Sequence, residues 1–392
     1  MVFVMTACAE NSSQSEKSQP AEQTTVQPTT MSAEEINDRK LDKFISDMTL
    51  EEKVGQMFFV RCPDEGAVQQ VSEYNIGGYI LFGRDFDGKT KDEVLDDIHS
   101  YQNEADIPLL IGVDEEGGTV VRVSSNPNLR ETPFLSPKDT YADGGWDAVK
   151  QDAEEKADLL LSLGINVNLA PVCDMTSDEY GFMYDRSFSS DVDMENRYVR
   201  TVVETSKSKK LGTVLKHFPG YGNNSDTHTG IAYDDRDYSE FENTDFKPFY
   251  QGIESGADCI LVSHNIVNCM DSEYPASLSQ KVHDILRNEF KFDGVVMTDD
   301  LIMDAITDFT GDEAAAVTAA KCGNDLLCCS TVDTQYPAVL EAVQNGEIPE
   351  AQVDASVKRI LKWKQNLGIF NIDTYQKKVK STEPTDTVGS EE

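Results

Sequence analysis

Residues able to do chemistry gather in five short stretches, each just after an apolar run. They are Asp114-Glu115-Glu116 with Arg122, Asp174 with the loop Tyr184-Asp185-Arg186-Ser187, and Lys216-His217 followed by Asp226 and His228. Ser263-His264-Asn265 and Thr298-Asp299-Asp300 complete the set. Three of the five histidines fall there, where even scatter would spread them. Asp226 and His228 stand two apart on a stretch rich in Gly, Asn and Ser. A carboxylate beside an imidazole fixes its tautomer and raises its basicity, as a proton shuttle needs. Taken alone, such a pair reads better as an ordinary surface contact.

Asp299 and Asp300 are adjacent acids after Val-Val-Met-Thr. Like charges side by side raise each other's cost of burial, so one is expected to face a site and the other to turn away. An Asp here also suits a helix N-cap, a role that fits Asp300 better than Asp299. Lys216 is expected to donate to a polar ligand or a carboxylate. Arg122 and Arg186 offer planar, two-pronged donors, or else pair with acids such as Glu116 or Asp185. Acids and bases converging on one place favour a ligand with many hydroxyls over a purely anionic one. His217, His228 and Asp226 could ligate a metal in principle, but no zinc-type spacing supports it. No metal and no cofactor are expected.

Positioning these residues falls to a repeating pattern of short apolar runs and amphipathic segments. Eight runs read as strands: Met57–Arg61, Gly78–Phe82, Leu109–Asp114, Asn166–Ala170, Thr213–His217, Cys259–Ser263, Val295–Thr298 and Asp325–Cys329. Continuous apolar runs suit strands buried on both faces. Between them Val94, Leu95, Ile98 and Tyr101 share one helical face, as do Val282, Ile285, Leu286 and Phe290. A first helix is expected near Glu34–Ser46, and a second opens at Thr49 with Glu52 three residues on, a capping box. Gly164, Gly256 and Gly323 stand where helices end, and the last helices are expected from Pro337 to about Leu367. The alternation predicts an α/β fold, a single-domain (β/α)8 barrel, whose chemistry sits at the strands' C-terminal ends. An open doubly wound sheet would carry an early Gly-x-Gly-x-x-Gly, which is absent.

The chain has 392 residues and a formal net charge of −37, with 71 acidic against 34 basic residues. Such acidity argues against nucleic acid as a partner and against a basic membrane-surface helix. Met1–Cys8 resembles the end of a secretory signal closing on a lipobox, with Cys8 as the lipidated residue. Residues 9–33 read as a polar tether, 34–370 as the catalytic barrel and 371–392 as a disordered acidic tail. The eight cysteines contain no Cys-x-x-Cys pair and are expected as free, buried thiols.

Together Thr49-Leu50-Glu51-Glu52-Lys53-Val54-Gly55-Gln56-Met57, Val113-Asp114-Glu115-Glu116-Gly117-Gly118, Lys216-His217-Phe218-Pro219-Gly220 and Thr298-Asp299-Asp300-Leu301 resemble glycoside hydrolase family 3. They are most similar to its single-barrel bacterial β-N-acetylglucosaminidases. The resemblance implies hydrolysis of terminal β-linked N-acetylglucosamine from cell-wall or amino-sugar glycans with retention of configuration. It implies Asp299 as nucleophile and His228, oriented by Asp226, as acid/base, with Asp114, Arg122, Arg186, Lys216 and His217 holding the sugar. A β-glucosidase or xylosidase, a phosphorylase of the same family, and an inactive sugar-binding lipoprotein are the alternatives. The expected partner is a carbohydrate substrate. Membrane attachment is expected only through a lipid at Cys8, with the protein a monomer on the outer face of the bacterial membrane or secreted. Two departures stand out: Tyr221 replaces a usual His in Pro-Gly-His-Gly, and the loop to Asp226 and His228 is one residue short. Thr119 also stands where many relatives have Arg.

Overall fold

The structure is a computed structural model that describes residues 1–3, 31–224, 227, 230–310 and 312–377. The chain divides into a short unit, 1–39, and a large one, 40–392. Within the short unit, Ser32 and Glu35 exchange side-chain-to-backbone hydrogen bonds at the opening of the helix Ala33–Ser46. Cys8, most of the expected tether and residues 378–392 lie outside the described residues.

Eight parallel strands form the large unit's centre: β1 (Phe58–Arg61), β2 (Gly78–Leu81), β3 (Leu110–Val113), β4 (Val167–Asn168), β5 (Gly212–Phe218), β6 (Cys259–Val262), β7 (Val295–Thr298) and β8 (Leu327–Cys329). Each pairs with its sequence neighbour, and β8 also pairs with β1, Phe58 standing opposite Leu327. Met297 bridges Leu326, and the Asp325 N–H donates to Val296 O, which closes the ring between β7 and β8. Helices fill every crossover, as parallel strands require. The (β/α)8 barrel expected from the sequence is therefore the fold, with each strand boundary within a few residues of the expected one.

Side chains alternate in and out along each strand, and both sides are apolar. Phe59, Ile80, Leu110, Val167, Val214, Cys259, Leu261, Val295, Met297 and Cys328 form the interior core. Their chain neighbours Phe58, Tyr79, Ile111 and Leu327 pack outward against one part of the helical shell. Leu215, Ile260 and Val296 pack against another. This double burial is why the strands read as unbroken apolar runs.

Thr49 caps the helix Leu50–Gln56 in the expected box with Glu52. Gly164, Gly256 and Gly323 take left-handed φ values of 82°, 92° and 112° after their helices. Three details differ from expectation. The helix expected to open at Pro337 begins at Val332, and Pro337 lies inside it, forgoing one intrahelical bond. The Val282–Phe290 segment is a short α-helix, Gln280–Asp284, continued by a π turn, Ile285–Glu289. Residues 371–377 are not part of a disordered tail, because Tyr375 packs edge-on against Phe44 at 5.0 Å. Lys40 adds an ion pair to Asp373.

The last helix, Glu350–Asn366, plugs the barrel's lower end with Ile360 and Trp363. There Asp325 accepts from Arg287, Arg359, Ser356 and the Val296 N–H, tying β7 to that helix. Beside Trp363, Lys364 is fully buried and donates to Gln56 Oε1 at 2.7 Å. Burial pushes its ammonium down to about 7. Between that value and the unfolded lysine's, the unfolded chain binds the extra proton, so stability rises with pH across this window. Lys364→Met should remove that slope and raise stability at neutral pH by an amount on the order of a few kcal/mol. Urea unfolding from pH 7 to 10 measures both effects.

Candidate active site

The inward phase of each strand continues one step past its apolar residues. After Phe59 comes Arg61, after Ile80 Phe82, and after Leu110 and Gly112 comes Asp114. Leu169 follows Val167, Lys216 follows Val214, and Asp299 follows Val295 and Met297. With Leu261 and Cys328, these residues line one cavity of about 750 Å³ at the strands' C-terminal ends. Its rim adds Glu116, Arg122, Phe182, Asp185, Arg186, His217, Tyr221 and Asp300. A cavity of this size accommodates a sugar or small oligosaccharide.

Three acids in a row on the β3 loop go three ways. Asp114 accepts from Lys216 Nζ at 2.7 Å. Glu115 turns away, fully buried, and accepts the backbone N–H groups of Arg122, Val123 and Ser124. Glu116 returns to the cavity, where Arg186 donates to both its oxygens (2.9 and 2.7 Å) and Lys216 Nζ lies 2.6 Å away. Burial would raise the Glu116 carboxyl, but Arg186 and Lys216 hold it well below the usual carboxylate range. Burial would likewise lower Lys216, and Asp114 and Glu116 instead raise it. Arg186 thus forms the ion pair that the sequence allowed while also lining the cavity.

His217 Nδ1 lies 2.7 Å from Asp174 Oδ2, which accepts its proton in a hydrogen bond, and Arg186 Nη2 stands 3.4 Å from its Nε2. A guanidinium only donates, so Nε2 acts as acceptor and the ring proton sits on Nδ1, toward Asp174. Asp174, with no exposed surface, also accepts the N–H groups of His217 and Tyr221. The register of β5 against β6 shifts between Leu215 and Phe218, and both Lys216 and His217 reach the cavity. The peptide bonds Ala170–Pro171, Lys216–His217 and Phe218–Pro219 are cis.

Asp299 and Asp300 do not separate as expected, since both are half-buried and both line the cavity. Only Asp299 is in the inward phase. Its Oδ1 accepts the Asp300 N–H at 2.9 Å. Asp300 accepts from Ser330 Oγ (2.6 Å) and from the Ile302 N–H (3.2 Å), a turn rather than a helix cap. Burial raises its carboxyl, and the Asp299 charge beside it adds to the rise. Beneath it His264 is buried, bonded to Ser277 Oγ and close to the Asp300 carbonyl.

Arg122 lines the cavity, with its guanidinium 5.7 Å from the Phe82 ring centre. Arg61, which sequence reasoning missed, lies over the same ring at 4.4 Å. Both line the cavity, and the Nε of each is buried with no hydrogen-bond partner among the described residues. Asp174 was also missed as the partner of His217. Its only signal was a lone acid six residues past β4. The structure brings together Asp114, Arg122, Arg186, Lys216, His217 and Asp299, whereas Asp226 and His228 lie outside the described residues.

An eight-stranded barrel whose mouth sets carboxylates beside paired and open cationic donors is a barrel enzyme for a hydroxyl-rich ligand. The sequence profile of the glycosyl hydrolase family 3 N terminal domain matches residues 49–363, and the chain belongs to this family of glycoside hydrolases. It is 32% identical over 286 residues to a beta-hexosaminidase of Hydrogenovibrio crunogenus, covering 71% of this chain and 79% of that one. It is also 32% identical over 327 residues to the beta-hexosaminidase LpqI of Mycobacterium tuberculosis, covering 79% and 81%. The structure of a family 3 β-N-acetylglucosaminidase from Paenibacillus sp. str. FPU-7 superposes with a TM-score of 0.77 at 29% identity. That match covers 88% of this chain and 66% of the other.

Glu116→Gln leaves Arg186 and Lys216 buried with half their countercharge. Loss of a buried partner of this kind costs about 3–5 kcal/mol, readable as a lower urea midpoint.

Proposed function

We propose that the protein is a retaining exo-glycosidase that removes terminal, non-reducing β-linked N-acetylglucosamine from cell-wall or amino-sugar glycans. The observation that carries this reading is Asp299, placed by the phase of β7 in the cavity above the Asp114–Lys216–Glu116–Arg186 cluster. The named activities of the relatives support the sugar.

In the first step a carboxylate oxygen of Asp299 bonds to the anomeric carbon as the glycosidic C–O bond breaks. His228, oriented by Asp226, gives its proton to the departing oxygen. In the second step His228 takes a proton from water, whose oxygen attacks the anomeric carbon and releases Asp299. The Asp300 N–H holds Asp299 Oδ1 through both steps. Asp114 and His217 accept from sugar hydroxyls, while Lys216, Arg186 and Arg122 donate to hydroxyls and to the acetamido carbonyl. Pairing with Asp114 and Glu116 keeps Lys216 fixed rather than mobile, so less ordering is left for the sugar to impose.

Among the described residues no helix is long and apolar enough to cross a membrane. A lipid on Cys8 would tether a monomeric barrel to the outer face of the membrane through the polar segment that follows, within reach of cell-wall fragments.

Asp299→Asn should reduce turnover by more than about 10²-fold, and a fluorosugar inactivator should label Asp299 as read by peptide mass spectrometry. Residual turnover above that level, or label elsewhere, overturns the nucleophile. His228→Ala should cost far more on substrates with poor leaving groups than on activated aryl glycosides. Aryl N-acetylglucosaminide should be cleaved in preference to aryl glucoside.

A further inference from the structure

Strand register puts Arg61 on a level with the proposed nucleophile. Phe59 pairs with Gly78 and Gly78 with Leu110, while Gly112 pairs with Val167 and Val167 with Gly212. Val214 pairs with Cys259, and Cys259 with Val295. In a closed barrel of this kind the strand tilt advances each level by about one residue per strand. Phe59, Gly112, Val214 and Met297, from alternate strands, therefore share one interior layer. Packing agrees, since a side chain at Gly112 would run into the Phe59 ring. Two residues further on, the same strands supply Arg61, Asp114, Lys216 and Asp299, and all four line the cavity.

Charge is matched over only part of this layer. Lys216 pairs with Asp114 and Glu116, and Glu116 with Arg186, so those four charges cancel. Arg61 stands apart from them. Its guanidinium lies 4.4 Å from the Phe82 ring centre, and that of Arg122 lies 5.7 Å from the same ring. Neither guanidinium makes a hydrogen bond or ion pair to a described residue, and the Nε of each is buried. Like charges held against one ring repel, and partial burial strengthens the repulsion.

The remaining carboxyls of the cavity are Asp185, Asp299, Asp300 and Asp304, and none pairs with either arginine. Asp300 is engaged by Ser330 and the Ile302 N–H. Asp299 loses its charge as its oxygen bonds to the anomeric carbon, while positive charge builds on the sugar ring. At that moment Arg61 and Arg122 have least to balance them. A sugar hydroxyl would accept their hydrogen bonds and leave the repulsion in place. An anion on the sugar would remove it, and the planar fork of a guanidinium matches two oxygens of one acidic group.

We propose that Arg61 is a specificity-determining residue that, together with Arg122, recognises an anionic substituent on the terminal amino sugar. The group is a carboxylate or an acidic ester of the ring. This rests on the reading of Asp299 as nucleophile, which sets the terminal ring at this level. A guanidinium carries several N–H donors, so Arg122 serves the ring hydroxyls and the anion together.

The test measures kcat/KM for aryl glycosides that share one aglycone: the plain N-acetylglucosaminide, its 6-O-sulfate and its 3-O-lactyl ether. The wild type should prefer one of the charged sugars to the plain one by about 10-fold or more, as a charge-assisted pair supplies. Which one it prefers separates an ester at the 6-oxygen from a carboxylate at the 3-oxygen. Arg61→Met keeps a stem against Phe82 and removes the fork, so the preference should fall to near unity. Arg61→Lys keeps the charge without the fork and should lose part of the preference, which gives the same reading where the Met variant is too unstable to assay. Absence of the preference in the wild type, or its persistence undiminished in the variants, overturns the proposal. Cleavage of the plain sugar in that case leaves the glycosidase reading standing. If none of the three sugars is cleaved by the wild type, that reading fails and the proposal falls with it.

Discussion

Everything in the large unit depends on the two-residue phase of strands closed into a small barrel. Each interior layer is filled by side chains from alternate strands, and along any strand an apolar interior residue commits the residue two places on to the same axis. On β7 that rule carries Val295 and Met297 up to Asp299. The same rule lifts Arg61, Asp114 and Lys216 into the same cavity from strands far apart in sequence. The catalytic carboxylate proposed here is thus fixed by packing beneath it.

Charge balance is the second constraint. Lys216 is almost fully buried, and alone it would lose its proton or draw in water. Asp114 and Glu116 remove that need, and Glu116 is in turn shared with Arg186. Buried ion pairs seldom add much stability over apolar packing. Their value here is geometric, since each donor is held where a sugar oxygen can use it. Arg61 and Arg122 differ, lying against Phe82 with Nε atoms that are buried and unpaired among the described residues.

Much of this was legible in the sequence because double burial makes each strand a continuous apolar run. The mouth residues were legible for the same reason, as the polar residues ending those runs. What escaped depends on contacts distant in sequence. Asp174 and His217 are 43 residues apart, and nothing near Asp174 points to an imidazole. Arg61 ends Phe-Phe-Val like any strand terminus, and its stacking on Phe82 belongs to the neighbouring strand. Asp300 was expected to turn away, but Ser330, on the loop after β8, keeps it at the rim. Tyr375 escaped because a single aromatic in a polar stretch carries no periodicity, although one ring against Phe44 suffices to order its neighbours.

Burial also governs how the sulfur atoms meet oxidants. Cys62, Cys173, Cys259, Cys322, Cys328 and Cys329 are all inside, and their thiols are pushed up, three of them to about 12. Thiolate is the species that oxidants and alkylating agents attack, so these six are inert while the barrel is intact. Cys269 alone among the described cysteines is an exposed residue. Among the described cysteines, attack by air or peroxide therefore falls first on Cys269, and burial within the fold shields the other six.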